Sequence, residues 1–396
     1  MIRAHSMAWQ AAGLISALLL AACSPPGGHA RATAPPARSG VPASSGPAVD
    51  TSGMRAAVEA FLPEAQRFVE QHRGLAFTRR VDVTALDDAA FRKRLEELPG
   101  DSPADLEKAT KELRALGLIQ GKVDLGELEK ALLGSAVAGF YDAAPHVLVV
   151  RGGALTPWVR EVIVHELTHA LQDQAFGIHR PQLDDAPDEQ GIAFHALLEG
   201  DALRVENAYH DGMSPADRKS ADEEGAGGGI PPDTPPVLLE QLTFPYVAGP
   251  PFVSAVLAKR GQPGLDAAIR TPPTTSSQIL HPERFLGGQA PVHVDPPPAD
   301  GRVFDRGALG EEALRLVLGQ AVDKGRLGAQ EADEAAAAWA GDWASAWDAG
   351  SQACIRVLVV TQGPAARLRS ALRAYAGTRN GVTVAGNGPL TLTSCG

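Results

Sequence analysis

One stretch of the chain constrains its fold more than any other, the segment Thr156 to Phe176, which reads TPWVREVIVHELTHALQDQAF. Thr156 can cap the amino terminus of a helix, and Pro157 fits the first helical position, whose amide has no partner inside the helix. At 100° per residue, large apolar side chains gather on one side of this helix, while His165 and His169 gather on the other. We therefore expect one face to pack into a core and the opposite face to line a cleft.

The histidine face has the spacing of a metal site. His165 and His169 are four residues apart, so both imidazoles project from one helix face and can reach a single ion. Glu166 follows the first histidine directly, which leaves its carboxylate beside the open position of the metal. There it could take a proton from bound water as a general base. Because the pattern H-E-x-x-H also arises by chance, the interpretation depends on helical context and on a third ligand.

A second helix, predicted from about Glu189 to Tyr209, offers that third ligand. Zinc normally takes three protein ligands in a catalytic site and leaves one position for water. We expect Glu199, thirty residues after His169, to be the ligand rather than the rival His195. One zinc ion per chain is the implied cofactor.

Two neighbours of Glu199 have expected supporting roles. Gly200 would let the second helix approach the histidine helix closely, because it has no side chain. Asp201 could accept a hydrogen bond from a ligand imidazole and so select the tautomer of that ring. Asp201 is also the weaker candidate for the ligand position itself.

The segments 137–142 and His146–Val150 read as a β-hairpin that leads into the histidine helix. His146–Val150 is either an edge strand that pairs with the backbone of an extended substrate or an ordinary interior strand.

Further on, Asp211–Pro236 is charged, then Gly-rich, then Pro-rich, which predicts a loop. Tyr246 and His281 could each donate a hydrogen bond to a tetrahedral oxyanion, and a structural role is the alternative for both.

The first fifty residues are expected to lie outside the folded body. Arg3 precedes an apolar run, Ala11–Ala22, that is too short to span a bilayer comfortably. The run ends in Leu-Ala-Ala-Cys23, which resembles a bacterial lipobox. That resemblance implies a signal peptide at 1–22, lipidation of Cys23 and a membrane anchor; an ordinary secretory signal is the alternative. Residues 23–50, rich in Pro, Ala, Gly and Ser, predict a flexible tether.

Charge and cysteine content narrow the remaining possibilities. The net charge is −11, with 36 basic and 47 acidic residues, and the lack of a basic cluster argues against a nucleic-acid partner. Apart from Cys23 the chain has only Cys354 and Cys395. Two thiols in an exported chain are expected to form a disulfide, and two unpaired buried thiols are the alternative.

The predicted fold class is α+β in three folded parts. Residues 51–136 are mostly helical, and 137–300 hold the metal motifs. Residues 301–396 form a small α/β subdomain, in which a helix at Gly310–Ala321 precedes the strand Cys354–Thr361 and a helix at Pro364–Ala376.

Several motifs together resemble a group of bacterial exported and lipoprotein metallopeptidase-like proteins and, more broadly, the gluzincin clan. In that clan two histidines and a glutamate bind the zinc. The resemblance implies a zincin-like core made of a small sheet, an active-site helix and a third-ligand helix, with Glu166 as general base. The motifs are Gly139–Asp142, His165–Gln174, Leu198–Asp201, Phe244–Tyr246 and Gln278–Glu283.

The chain departs from the gluzincin pattern at one position. Well-studied gluzincins carry an acidic residue four positions after the ligand glutamate, where this chain has Leu203. The sequence therefore leaves open which residue, Asp201 or another, holds a ligand imidazole by a hydrogen bond. Metzincins are excluded, because Gln172 and Ala175 occupy the positions of their glycine and third histidine.

The function implied by the resemblance is that of a zinc-dependent endopeptidase of the bacterial cell envelope. Such an enzyme would be exported, anchored by lipid to the membrane, and act on a protein or peptide substrate. The alternative is a catalytically inactive zincin-fold lipoprotein that binds a protein or peptide partner, and a closed site would favour it.

Overall fold

The computed structural model describes residues 51–98, 102–128, 131, 137–184, 189–226 and 234–396. The predicted signal peptide at 1–22, Cys23 and the tether at 23–50 lie outside these ranges. Within them, no helix is both long enough and apolar enough to cross a bilayer.

The fold is mixed α+β with two small sheets, as the sequence predicts for the class. The helices with described bounds are α1 (Thr51–Arg73), α2 (Asp88–Glu96), α3 (Pro103–Ala115), α4 (Pro157–Phe176), α5 (Pro181–Asp184), α6 (Gln190–Gly212), α7 (Pro215–Gly225), α8 (Pro236–Arg270), α9 (Ser276–Leu280), α10 (Pro282–Leu286), α11 (Gly310–Asp323), α12 (Ala329–Ala336) and α13 (Ala366–Ala376). The strands are β1 (Asp82–Leu86), β2 (Gly139–Asp142), β3 (Val147–Arg151), β4 (Arg302–Gly307), β5 (Trp339–Ala349), β6 (Gln352–Thr361), β7 (Val382–Ala385) and β8 (Leu390–Cys395).

The first sheet has three strands in the order β1-β3-β2. The predicted hairpin is confirmed, since β2 and β3 pair antiparallel with Tyr141 opposite Leu148. However, β1 pairs with β3 in parallel on the other side. The strand predicted at His146–Val150 therefore lies in the middle of the sheet, and the interpretation of it as an edge strand is wrong. The two outer strands are β1 and β2.

Helix α4 is packed on both faces. Its apolar side meets α1 and the first sheet, and Ile163, Leu167 and Leu171 are at most 1% exposed. Its histidine side is also enclosed, because α6 lies against it. The face of α4 that the sequence predicted to line a cleft is thus covered by α6. Its buried polar side chains therefore need hydrogen-bond or charge partners on α6.

Gly200 does allow a close approach between helices, but the helix it meets is α8. A Cβ atom added to Gly200 would lie 2.3 Å from the carbonyl carbon of Gly249, and one added to Gly249 would lie 2.1 Å from the carbonyl oxygen of Ala196. Both positions are too close for any side chain. The predicted contact of Gly200 with the histidine helix is therefore wrong, and the glycine pair instead joins α6 to α8.

The second sheet is antiparallel, in the order β4-β5-β6-β8-β7, and α11, α12 and α13 pack into the same core. Helix α3, from the amino-terminal part of the chain, also packs against β6 and β8. Cys354 and Cys395 face each other across β6 and β8 and are joined by a disulfide, with their Cα atoms 4.1 Å apart. The cross-link fastens the last strand to its neighbour. The proposed division into domains stays a prediction.

The segment predicted as a loop, Asp211–Pro236, contains the helix α7. Ser214 caps it by accepting a hydrogen bond from the amide of Asp217, and Pro215 takes the first turn. This is the same Ser/Thr-Pro signal that begins α4, so the sequence did carry it. The glycines and prolines just downstream are typical of a loop and conceal that signal.

The glycine contact between α6 and α8 leads to a stability prediction. We expect Gly200→Ala to lower the free energy of unfolding by at least about 2 kcal/mol, because the added methyl group forces two backbones apart. As a matched control, Gly319→Ala in α11 meets nothing within 4 Å and should raise it by up to about 1 kcal/mol. Urea unfolding followed by circular dichroism measures both. Equal stability of Gly200→Ala and the wild type would contradict the close contact.

Candidate metal centre

Local sequence signals place the two histidines. Thr156 accepts a hydrogen bond from the amide of Val159 at 3.2 Å. The helix ends at Gly177, whose φ of 65° lies in the left-handed region that glycine adopts most easily. Between these ends α4 is uninterrupted, so His165 and His169 lie one turn apart. Their Nε2 atoms are 2.9 Å from each other.

Glu199 completes a triangle of donor atoms. Its Oε2 lies 3.3 Å from His165 Nε2 and 3.4 Å from His169 Nε2. A tetrahedral zinc with bonds of about 2.0–2.1 Å spaces its ligand atoms about 3.3–3.4 Å apart. The two glutamate distances match this spacing, and the imidazole pair needs only a slight opening. Within the described ranges, this is the one set of three or more His, Cys, Asp or Glu side chains that could hold a metal ion.

The surroundings of Glu199 Oε2 are also those expected of a metal ligand. Glu199 is 3% exposed, and its Oε2 makes no aligned hydrogen bond with any described residue. A buried carboxylate oxygen without a hydrogen bond costs free energy that a coordinated cation would offset. The donor set, two imidazoles and one carboxylate, is the set typical of zinc in hydrolytic sites. The residues present therefore fit the expected ion.

Glu166 has one oxygen held and one oxygen unused. Its Oε2 accepts a hydrogen bond from the backbone amide of Tyr141 at 2.8 Å. Its Oε1 is buried and has no hydrogen-bond partner among the described residues. Burial raises the pKa of Glu166 to about 7, although the nearby His165 and His169 oppose the rise. A carboxyl group with a pKa near neutrality can both accept and return a proton.

The three ligand candidates form a charge cluster in the protein without metal. Burial alone would raise the pKa of Glu199, but the charge of His169 and the contacts with both imidazoles lower it to about 2. Burial would likewise lower the pKa of His165, and contacts with Glu199 and Glu206 outweigh it and raise the pKa to about 10. Since a metal binds the neutral imidazole, its binding must release protons from this cluster.

Sequence reasoning missed the residue that supports His165. Glu206 places its Oε2 2.7 Å from His165 Nδ1, and it is only 8% exposed. It lies seven residues after Glu199, which is two helical turns and hence the same face of α6. An acidic residue on the same face as Glu199 therefore does contact a candidate ligand, although position 203 itself is a leucine. The seven-residue spacing was the signal that could have revealed it.

Asp201 supports the other histidine through an intermediary. The Oε1 atom of Gln172 lies 2.9 Å from His169 Nδ1, and the Nε2 atom of Gln172 donates to Asp201 Oδ2 at 2.9 Å. The sequence predicted a direct hydrogen bond between Asp201 and the imidazole. In the structure the amide of Gln172 lies between them. The rival ligand His195 is half-buried on α6 and does not belong to the triangle.

The two residues considered for an oxyanion role have different surroundings. His281 Nε2 is 2.7 Å from Glu311 Oε1, in the contact between the α9–α10 junction and α11. Tyr246 is 6% exposed and packs against Leu203, one turn beyond Glu199 on α6. Its position near the ligand helix distinguishes it from His281.

Comparison with known proteins adds little to this geometry. No protein-family model matches the sequence. No curated protein matches it either. Among solved structures, a protein from Chloroflexus aurantiacus, provisionally assigned as a hydrolase with a novel fold, aligns with a TM-score of 0.39 and 16% identity over 71% of this chain and 97% of its own. A similarity of this size leaves the functional assignment to the site itself.

The contact between Glu206 and His165 leads to a prediction about metal affinity. We expect Glu206→Gln to weaken zinc binding about 10–100-fold, because the neutral amide no longer stabilises the ligand tautomer by charge. The matched control is Glu161→Gln, which changes a buried glutamate that contacts His210 Nδ1 at 2.6 Å on the same helix pair. Zinc competition with a chromophoric chelator measures both. Equal losses in the two variants would show that Glu206 has no special link to the metal.

Proposed function

We propose that this protein is a zinc-dependent endopeptidase of gluzincin type, with His165, His169 and Glu199 as ligands of one zinc ion. One observation supports the proposal above all. The three donor atoms are spaced nearly as the ligands of a tetrahedral zinc ion are. Glu166, which directly follows His165 in the chain, has one carboxylate oxygen without a hydrogen bond among the described residues. A zincin-like core, formed by the first sheet with α4 and α6, is the corresponding fold assignment.

The residues of the chain divide the chemistry among them. A bound zinc ion would supply activation of a water molecule and polarisation of the scissile carbonyl. Glu166 Oε1 would accept the proton of that water and pass it to the leaving amine. The amide of Tyr141 holds Oε2 at 2.8 Å, so the carboxylate stays in one orientation during both transfers. Glu206 and Gln172 keep the two imidazoles in place.

Substrate would lie along β2 rather than β3. The strand β2 is at the edge of the first sheet, and the amide of Tyr141 points away from β3, toward Glu166. Backbone groups alternate in direction along a strand, so Gly139 shares the outward direction of Tyr141. The amide of Tyr141 is taken by Glu166, so an extended peptide would pair with the remaining outward groups of β2, at Gly139, and its backbone would lie close to the general base. This favours unfolded or extended segments as substrates.

The alternative function has an observation in its favour as well. His165, Glu166, His169 and Glu199 are only 1%, 2%, 7% and 3% exposed. A site this enclosed is compatible with an inactive zincin-fold protein that binds a protein or peptide partner without turnover. The two functions differ in one measurable property, since only the first consumes peptide bonds.

The decisive variant is Glu166→Gln. We expect it to retain one zinc per chain by elemental analysis and to lose hydrolysis of a broad peptide library by at least about 100-fold, because the amide cannot accept the proton. Glu161→Gln, on the same helix but outside the metal cluster, serves as the control and should keep its activity. Full activity of Glu166→Gln would refute the mechanism. A wild-type protein that binds zinc and cleaves no peptide would instead favour the binding function.

We further propose an envelope location with lipid attached at Cys23, on the basis of the lipobox-like sequence before it. Several acyl chains hold a protein at a membrane firmly, because each buried methylene contributes about 0.8 kcal/mol. We expect the full chain, expressed in a bacterium, to sediment with membranes, and Cys23→Ala to move to the soluble fraction. Cys354→Ala should not change the sedimentation. Retention of Cys23→Ala in the membrane pellet would count against lipidation.

A further inference from the structure

Arg73, the last residue of α1, is completely buried. A guanidinium group taken out of water costs several kcal/mol unless charges and hydrogen bonds compensate it. A basic residue in the last turn of a helix suits the helix dipole, but that interaction does not require burial. Its partners therefore indicate what it is for.

The partners of Arg73 are two aspartates on different helices. Its Nε lies 2.8 Å from Asp201 Oδ2 on α6, and its Nη2 donates to Asp266 Oδ1 on α8 at 3.0 Å. The contact with Asp201 is a charge contact rather than an aligned hydrogen bond. Asp201 is itself 0% exposed, so it needs a positive charge nearby to be buried as a carboxylate. Arg204 supplies a second one at 3.0 Å, from a side chain that is 25% exposed.

Asp201 in turn determines how the amide of Gln172 is oriented. The amide nitrogen donates to Asp201 Oδ2 at 2.9 Å and to the carbonyl oxygen of Leu198 at 3.2 Å. A carboxylate and a carbonyl can only accept hydrogen bonds. The nitrogen of Gln172 must therefore face them, and its oxygen must face His169 Nδ1, 2.9 Å away.

That orientation selects the tautomer of the metal ligand. An amide oxygen only accepts, so Nδ1 of His169 must carry a proton and donate it. The lone pair of the neutral ring then lies on Nε2, which faces Glu199 and the proposed ion. A flipped amide would select the opposite tautomer, with a proton on Nε2, which cannot bind a metal.

We propose that Arg73 is a positioning residue for the metal centre, which acts on His169 through Asp201 and Gln172. The inference rests on the proposed metal site and is independent of peptidase activity. A purely structural role, in which Arg73 only joins α1 to α6 and α8, is the competing explanation. The two explanations differ in whether the effect of Arg73 on the metal passes through Gln172.

A double-mutant cycle in zinc affinity separates them. Arg73→Met and Gln172→Met are each expected to weaken zinc binding about 10–100-fold, as loss of outer-shell partners does. If Arg73 acts through Gln172, the double variant should bind zinc no more weakly than the worse single variant. The absorption spectrum of bound Co²⁺ should change in both single variants, because the orientation of a ligand changes. The readout is a dissociation constant from chelator competition, and no substrate is needed.

Arg284→Met is the matched control. Arg284 is also a largely buried arginine, 12% exposed, which donates to Glu311 at 2.9 Å and to the carbonyl oxygen of Ala337 at 2.7 Å. Its loss should destabilise the metal-free protein to an extent similar to that in Arg73→Met, yet leave zinc affinity within about twofold. If Arg73→Met does not fold, Asp201→Asn takes its place in the cycle, since this change keeps the shape but permits the amide flip.

The outcomes separate cleanly. Additive losses in the cycle, unchanged zinc affinity in Arg73→Met, or an equal loss in Arg284→Met would each overturn the positioning role while leaving the metal site intact. A wild-type protein without zinc affinity would overturn the metal site itself, and this inference with it. A non-additive cycle with an altered Co²⁺ spectrum supports the positioning role.

Discussion

The helices α4 and α6 are held together by charges that neither could bury alone. Three pairs cross the contact, and each consists of a carboxylate on one helix and an imidazole on the other. Because the helices run antiparallel, residues that ascend along α4 pair with residues that descend along α6. The contacts, in order along α4, are Glu161 with His210, His165 with Glu206, and His169 with Glu199. An unpaired buried charge costs several kcal/mol, so a shift of one helix along the other would leave several charges unpaired. The candidate metal ligands thus belong to the set of contacts that fixes the register of the two helices.

The apolar packing around this polar layer serves to keep it in place. On one side, α4 lies against α1 and the first sheet through aliphatic side chains. On the other, α6 lies against α8, where Gly200 and Gly249 bring the two backbones into contact. Arg73 connects the two sides, since it extends from the end of α1 to carboxylates on α6 and α8. The polar network therefore spans four helices and reaches the imidazole of His169.

Enclosure has two consequences for chemistry at this site. Burial raises the pKa of Glu166 to about 7, which would suit the proposed general base, since that group has to take and return a proton. The same burial restricts the approach of a peptide. In the proposed substrate position an extended backbone along β2 would lie close to Glu166, because the amide of Tyr141 in β2 holds that carboxylate. The enzymatic and the binding function thus share one geometry and differ in whether a peptide bond can reach the general base.

The sequence alone determined those features that depend on neighbours within a turn or two. The cap at Thr156 and the four-residue spacing of His165 and His169 define the metal helix, because helical geometry converts spacing directly into direction. Glu199 was predicted by a different argument, the need of zinc for a third protein ligand, which a second helix could supply. Tertiary structure decided the rest: the central position of β3, the contact of Gly200 with α8, the place of Glu206 beside His165, and the route from Arg73 to His169. These depend on groups far apart in the chain, such as Arg73 and Asp201, whose meeting depends on how whole helices pack. A single sequence does not encode that packing in any local pattern.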